Sequence, residues 1–395
     1  MSLTDLGTYV PTTNDLLAAY APGSAFFASP RGALLAGPAS AALPGPLEIA
    51  APEALRRLDA AVAAGHERPI VVGALPFGST SPPHLFLDVA PERATRPGHG
   101  AGGMPATAAS PLSVTEWPGP AGYAEAVARA LRRISLGELD KVVLARTLRV
   151  DYAEPVAVEA LVRRLLGGNA HGYTYAVDLP EQRATRVLVG ASPELLIAKS
   201  GTRVVSWPLA GSAPRSHDPA LDRARAAALM TSDKDLREHE YVVRSVSQVL
   251  RKYCSTLNVP PRPALTATSN MWHLGSRITG ELRTPEISSL ELAAALHPTP
   301  AVCGWPVAPA RDLIGELEPF DRGHYAGAVG WCDASGDGEW AVAIRCAEVS
   351  GCSVRLFAGA GIVAGSTPDG ETEETALKFG TMLGALGIVP VAARP

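Results

Sequence analysis

This chain contains no run of lysine and arginine and no stretch of about 18 apolar residues. The first absence removes the electrostatic footprint of a nucleic-acid or membrane-surface binder. The second removes a helix that could span a bilayer. Charge is scarce overall: 19% of residues are Asp, Glu, Lys or Arg, and the formal net charge is −4. The five cysteines, Cys254, Cys303, Cys332, Cys346 and Cys352, form no CxxC pair. An odd set of scattered thiols argues against a disulfide framework and fits reduced, packed cysteines in a cytosolic protein. Met1-Ser-Leu-Thr-Asp5 has no basic segment leading into an apolar one. No secretory signal is expected, and the expected location is the cytoplasm.

The sequence does have ample apolar residue for a core, with a hydrophobic fraction of 47%. Its 395 residues suit one large α/β unit. Residues 1–120 read as an N-terminal part ending in a Gly/Pro-rich loop over 93–120. Residues 121–395 carry the motifs, and the two parts form a single unit.

Strands are expected over 69–76, 84–88, 141–150, 173–177 and 186–188, with a hairpin from 194–198 and 203–206. Near the end, 327–333, 339–348 and 353–359 read as three strands, with Asp333-Ala-Ser-Gly-Asp-Gly338 as a turn. Helices are expected over 123–134, 155–166, 218–230 and 232–253. Strands and helices mix without a strict βαβ rhythm, which predicts an α+β sandwich rather than a doubly wound sheet.

Two carboxylate pairs at helical i, i+3 spacing stand out. Glu371 and Glu374 share a helix face with Lys378, just after the Gly-rich turn expected at Gly359-Ala360-Gly361. Asp235 and Glu238 repeat the spacing near the start of the long helix. A solvated helix face explains either pair alone better than a site does. Two such helices facing one space, however, would make a hard-cation site, since Mg²⁺ takes oxygen ligands from carboxylates, waters and substrate.

Four further residues are out of keeping with their surroundings. Glu194, in Gly190-Ala-Ser-Pro-Glu-Leu-Leu196, stands where a turn meets an apolar strand. A carboxyl buried there would have a raised pKa and could serve as a general acid. Lys141 heads an apolar strand, where a dry pocket would make it a base. His297 lies in the apolar, Pro-rich run Leu296-His-Pro-Thr-Pro-Ala-Val-Cys-Gly304. Arg345 sits in Ala343-Ile-Arg-Cys346, which reads as the interior of a strand; a buried arginine needs an anion, either a structural acid or a substrate carboxylate.

Taken in order, Lys141–Arg146, Ser192-Pro-Glu194, Pro208–Ser212, Lys234–Glu240, His297–Gly304, Tyr325–Asp333, Ala343-Ile-Arg345 and Gly359 through Lys378 resemble the chorismate-utilising enzymes, with the isochorismate synthase branch nearest. The resemblance covers roughly residues 120–390. It implies a large two-layered α/β sandwich with the active site between the layers. It also implies Mg²⁺ held by Glu238 and Glu374, with Asp235 and Glu371 nearby or acting through water.

The substrate implied is chorismate. Its ring carboxylate would sit on Mg²⁺, and its enolpyruvyl carboxylate on Arg345, Tyr325 and the N–H groups of Gly359, Ala360 and Gly361. Ser212, His297, Ala301 and Lys378 would complete the binding set. The implied chemistry is water addition at C2 with loss of the C4 hydroxyl, with Lys141 as base and Glu194 as acid.

Branches of the family differ at single positions. Ala210 stands where aminodeoxychorismate synthases have a nucleophilic lysine, and Lys141 is absent from anthranilate synthases. Ala301-Val302-Cys303-Gly304 replaces the Thr-Val-Thr-Gly run of salicylate synthases, which go on to eliminate pyruvate. One departure is Thr372, where the family usually has an aromatic residue after the first glutamate. The implied protein is a monomer whose product passes to an isochorismatase or pyruvate lyase. A salicylate synthase and a non-catalytic chorismate-binding paralogue are the alternatives.

Overall fold

The structure, a computed structural model, describes residues 11–37, 43, 45–78, 81–95, 110–179 and 186–388. Its first third runs α1 (Thr13–Ala18), β1 (Ala25–Ser29), β2 (Gly32–Ala36), α2 (Leu47–Ala63), β3 (Ile70–Leu75), β4 (His84–Asp88), β5 (Glu92–Ala94) and β6 (Ser113–Trp117). Next come α3 (Pro120–Ser135), β7 (Lys141–Asp151), α4 (Val158–Gly168), β8 (Tyr173–Leu179), β9 (Arg186–Ser192), β10 (Leu195–Ser200), β11 (Arg203–Trp207), β12 (Leu209–Pro214), α5 (Pro219–Leu229) and α6 (Asp233–Tyr253). The remainder is β13 (Cys254–Asn258), β14 (Ala264–Ala267), β15 (Met271–Gly275), β16 (Ile278–Leu282), α7 (Ser289–Leu296), β17 (Gly304–Trp305), α8 (Val307–Leu317), β18 (Ala328–Asp333), β19 (Gly338–Val342), β20 (Cys346–Ser350), β21 (Ser353–Val363) and α9 (Pro368–Ala385).

Two large sheets dominate. One runs β17-β7-β21-β20-β9-β8-β1-β2-β5, with β6 also paired to β7; the other runs β13-β16-β11-β10-β19-β18-β3-β4. A small third sheet, β12-β15-β14, stands apart. The main core draws Phe27, Tyr175 and Leu188 from the first sheet and Val72, Ile197 and Trp340 from the second. On the other face of the first sheet, Phe26 and Val189 meet Leu16 of α1, Leu161 of α4 and Phe379 of α9 in a second apolar cluster. The α+β sandwich expected from the sequence is therefore present. The N-terminal strands are threaded into both sheets: β1 pairs with β8, and β3 with β18. No helix among the described residues is long and apolar enough to cross a membrane.

The two helices that carry the carboxylate pairs are well capped. Ser232 accepts from the Asp235 N–H at the start of α6, with Asp233 and Asp235 in the first turn and Arg251 and Lys252 in the last, as the helix dipole favours. Thr367 caps α9, Pro368 follows it, and Asp369 and Glu371 fill the first turn.

Three expectations need correction. The loop expected over 93–120 carries strand at both ends, because Glu92–Ala94 pairs with β2 and Ser113–Trp117 with β7; residues 96–109 lie outside the described set. The single strand expected over 339–348 is two strands in different sheets, β19 and β20. Arg345 lies in the break between them, with φ at 51°, not inside a strand. Finally, Gly359-Ala360-Gly361 is not a turn. It continues β21, paired in register with Ala145, Leu144 and Val143 of β7.

Candidate active site

The paired strands β7 and β21 of the first sheet form one wall of a cavity. Alternation along β7 places Lys141 and Val143 on the cavity side, while Arg146 faces α9 and donates to Thr375 Oγ1 at 2.8 Å. On β21, Phe357, Gly359 and Gly361 line the cavity. Lack of a Cβ is a spatial requirement at both glycines. At 359 a Cβ would stand 2.7 Å from the Tyr325 hydroxyl, and at 361 it would fall on Glu238 Oε1 and 2.7 Å from Cδ. The Gly-rich segment thus makes room for side chains instead of forming the expected turn.

Ser212, Glu194, Glu238, Ala301, Tyr325, Arg345, Glu374 and Lys378 also line this cavity. Ala360 points to the opposite face of β21 and is buried there. Lys141, Asp235 and Glu371 are not lining residues: Lys141 meets the lining Glu238, Asp235 packs against the lining Gly211, and Glu371 meets Lys234. His297 does not join it: its Nε2–H donates to the Pro76 carbonyl at 3.0 Å, and burial lowers its pKa to about 4. That ring fastens the end of α7 to the segment after β3, a structural part in place of the expected substrate contact.

Acids and lysines meet in pairs. Lys141, fully buried, lies 3.0 Å from Glu238. Lys234 lies 2.6 Å from Glu371, and Lys378 lies 2.6 Å from Glu374 while also donating to the Gly359 carbonyl at 2.9 Å. Ser212 donates to Glu374 at 3.0 Å, and Ser232 to Asp235 at 2.5 Å. Among the described residues, no three His, Cys, Asp or Glu side chains are grouped as metal ligands. Buried Glu371 Oε2 has no hydrogen-bond partner. Burial and the Glu374 charge raise the pKa of Glu371. Burial also penalises the Glu374 carboxylate, but Lys378 and Lys234 outweigh it and hold that group below the usual range.

Glu194 occupies the two-residue link between β9 and β10 and is 2% exposed. Burial pushes its pKa up to about 7, against the opposing pull of the Leu209 N–H, Lys141, Arg345 and Lys378. Arg345 is buried, its Nε has no hydrogen-bond partner, and no acid among the described residues forms an ion pair with it. Its Nη2 approaches His273 Nε2 at 3.4 Å. Tyr325 stacks on Phe357, with ring centroids 4.9 Å apart at 9°.

His273 belongs to no motif that marks it in the sequence. It lines the cavity from β15, and its pKa is held well below the ordinary value by burial, Arg345 and Lys378. The only local signal was a polar ring in Met271-Trp-His-Leu274, where Trp272 faces the other way to donate to Asp222 at 3.0 Å. Thr372, the family departure, sits away from the cavity with its hydroxyl on the Pro368 carbonyl at 2.7 Å.

One cavity therefore offers an unpaired guanidinium, a protonatable carboxyl and several lysine-matched carboxylates. Comparison with known proteins agrees with a site for a small anion. The family of chorismate binding enzymes matches residues 100–387. Isochorismate synthase DhbC of Bacillus subtilis is 47% identical over 386 residues, 94% of this chain and 96% of the relative. The crystal structure of DhbC from Bacillus anthracis superposes with a TM-score of 0.90 at 43% identity, over 95% of this chain and 100% of the other. MenF, the menaquinone-specific isochorismate synthase of Escherichia coli, gives 0.81 at 25% identity over 96% and 92%. The chain belongs to the chorismate-binding enzymes, among the isochorismate synthases.

Proposed function

We propose that this chain converts chorismate to isochorismate, a hydroxymutase reaction. The observation that carries the reading is Arg345: a buried guanidinium without an acid partner, turned into a cavity that also holds Glu194. A buried cation of this kind needs an anion, and a substrate carboxylate supplies one. With Tyr325 beside it, Arg345 would fix the enolpyruvyl carboxylate, leaving the ring between Glu194 on one side and the Lys141–Glu238 pair on the other.

In this reading a water oxygen bonds to C2 as its proton passes to Lys141, which acts as the neutral amine, the ring double bonds shift, and the C4–O bond breaks as Glu194 gives its proton to the departing hydroxyl. Base and acid act on the two poor partners of the exchange, water and hydroxide. Glu194 suits the acid role because burial keeps it protonated close to neutrality. Lys141, beside Glu238, would act on the ring through the attacking water.

The chain's acids suit Mg²⁺ by chemistry, being hard oxygen donors, and the orphaned Glu371 Oε2 is an oxygen with nothing to bind. Glu238 and Glu374 would hold the ion, with Asp235 and Glu371 behind them. When bound, it would neutralise and orient the ring carboxylate.

The product would serve siderophore or menaquinone synthesis, since the relatives include isochorismate synthases of both kinds. Purified protein incubated with chorismate and Mg²⁺ is expected to give isochorismate by chromatography, and excess EDTA to stop it. Salicylate and pyruvate as the direct products would show a salicylate synthase. No turnover at all would leave a binding paralogue.

A further inference from the structure

We propose that Lys234 is a positioning residue for the cation site: it holds the Glu371 carboxylate by one oxygen so that the other is presented to a divalent cation or to a water bound to it. The inference rests on the Mg²⁺ reading above. Lys234 Nζ donates to Glu371 Oε1 at 2.6 Å. The glutamate side chain is 2% exposed; the Ser366 hydroxyl is near enough to draw its pKa down but makes no hydrogen bond to Oε2, which is buried without a partner. One oxygen is thus pinned and the other kept bare, in a place where a bare carboxylate oxygen is costly unless something binds it.

The position of the lysine supports this. Lys234 lies in the first turn of α6, between Asp233 and Asp235, where the helix dipole favours acids and disfavours a cation. Helix formation therefore does not account for it. Its contact does: the ion pair ties α6, which carries Asp235 and Glu238, to α9, which carries Glu371 and Glu374. Lys234 is thus the link, seen as a direct contact, between the helix that carries one carboxylate pair and the helix that carries the other. Side chains behind a metal's own ligands commonly set ligand orientation, and losing one costs about 10–100-fold in metal affinity.

The test is calorimetric titration of MgCl₂ into substrate-free protein, comparing wild type with Lys234→Met and Lys234→Arg, each checked by thermal melting. Lys234→Met is expected to weaken Mg²⁺ binding about 10–100-fold, and Lys234→Arg, which keeps the donor, to recover most of it. A merely structural lysine would lower the melting temperature without that split. Should Lys234→Met not fold, Lys234→Gln carries the same comparison. Binding by the folded neutral variant as tight as wild type overturns the proposal, and tighter binding marks Lys234 as a competitor of the cation. Wild type that takes up no Mg²⁺ overturns the Mg²⁺ reading itself, and this inference with it.

Discussion

The Glu238 carboxylate lies in the space that Gly361 leaves empty, with Lys141 Cε 3.1 Å from where a Cβ would stand. Gly361→Ala is therefore expected to displace Glu238 and Lys141 together while β21 keeps its pairing with β7. A displacement of about 1 Å at a reacting group costs on the order of 100-fold. Steady-state kinetics should show at least that loss in kcat/KM, with a melting temperature within a few degrees of wild type. Wild-type turnover in Gly361→Ala would mean that the close approach has no part in the reaction.

Glu194 gives a pH signature. As an acid it must be protonated, and its pKa is raised to about 7, so kcat should fall as pH rises through that value. Glu194→Gln should cost about 10²–10⁴-fold and abolish this limb of the profile. Stability should follow the same group. Between the ordinary carboxylate pKa of 4.5 and about 7, the folded state binds more protons than the unfolded one, so stability falls as pH rises across that window. Denaturant unfolding at pH 5 and pH 8 should show the fall in wild type and a smaller one in Glu194→Gln.

Arg345 separates function from stability. A buried guanidinium without an acid is a cost to the fold, so Arg345→Met should leave unfolding free energy unchanged or higher. The same change should remove about 2–5 kcal/mol of substrate binding, roughly 30-fold or more in KM. Unfolding of Arg345→Met at ordinary temperature would contradict the assignment, because it would make the residue structural.

Arg322 should behave in the opposite way. Its guanidinium holds Glu318 at 2.5 and 2.8 Å, donates to the carbonyls of Val302 and Val143 at 2.7 Å each, and lies 4.4 Å over Phe77. Arg322→Met leaves the buried Glu318 with only the Ala145 N–H as partner and leaves two carbonyls unmet. Chemical denaturation should show a loss of about 3–5 kcal/mol. A loss under about 1 kcal/mol would mean that the pair is not buried in solution.

Some of this site is visible in the chain itself. The pairs Asp235/Glu238 and Glu371/Glu374 are visible because i, i+3 spacing is a property of one helix, and both helices carry their own caps. Glu194 and Lys141 are visible because each is a charged residue at the head of an apolar strand. The break at Arg345 is not, because hydropathy runs on through it: β19 is buried throughout and β20 for four of its five residues. Which sheet each half joins depends on β10 and β18 on one side and on β9 and β21 on the other.

The same distinction explains the glycines and histidines. Gly359 and Gly361 read as a turn because glycine is rare within strands; the need for them is imposed by Tyr325 and Glu238, which arrive from other elements. His297 meets a carbonyl 221 residues away, and His273 meets Arg345 across 72. By itself the sequence determined which helices present paired acids and which charged residues head buried strands, since spacing, capping and alternation act over a few residues. Tertiary structure alone decided which lysine meets which acid, which histidine enters the cavity and where Arg345 turns inward, since those depend on elements brought together from distant parts of the chain.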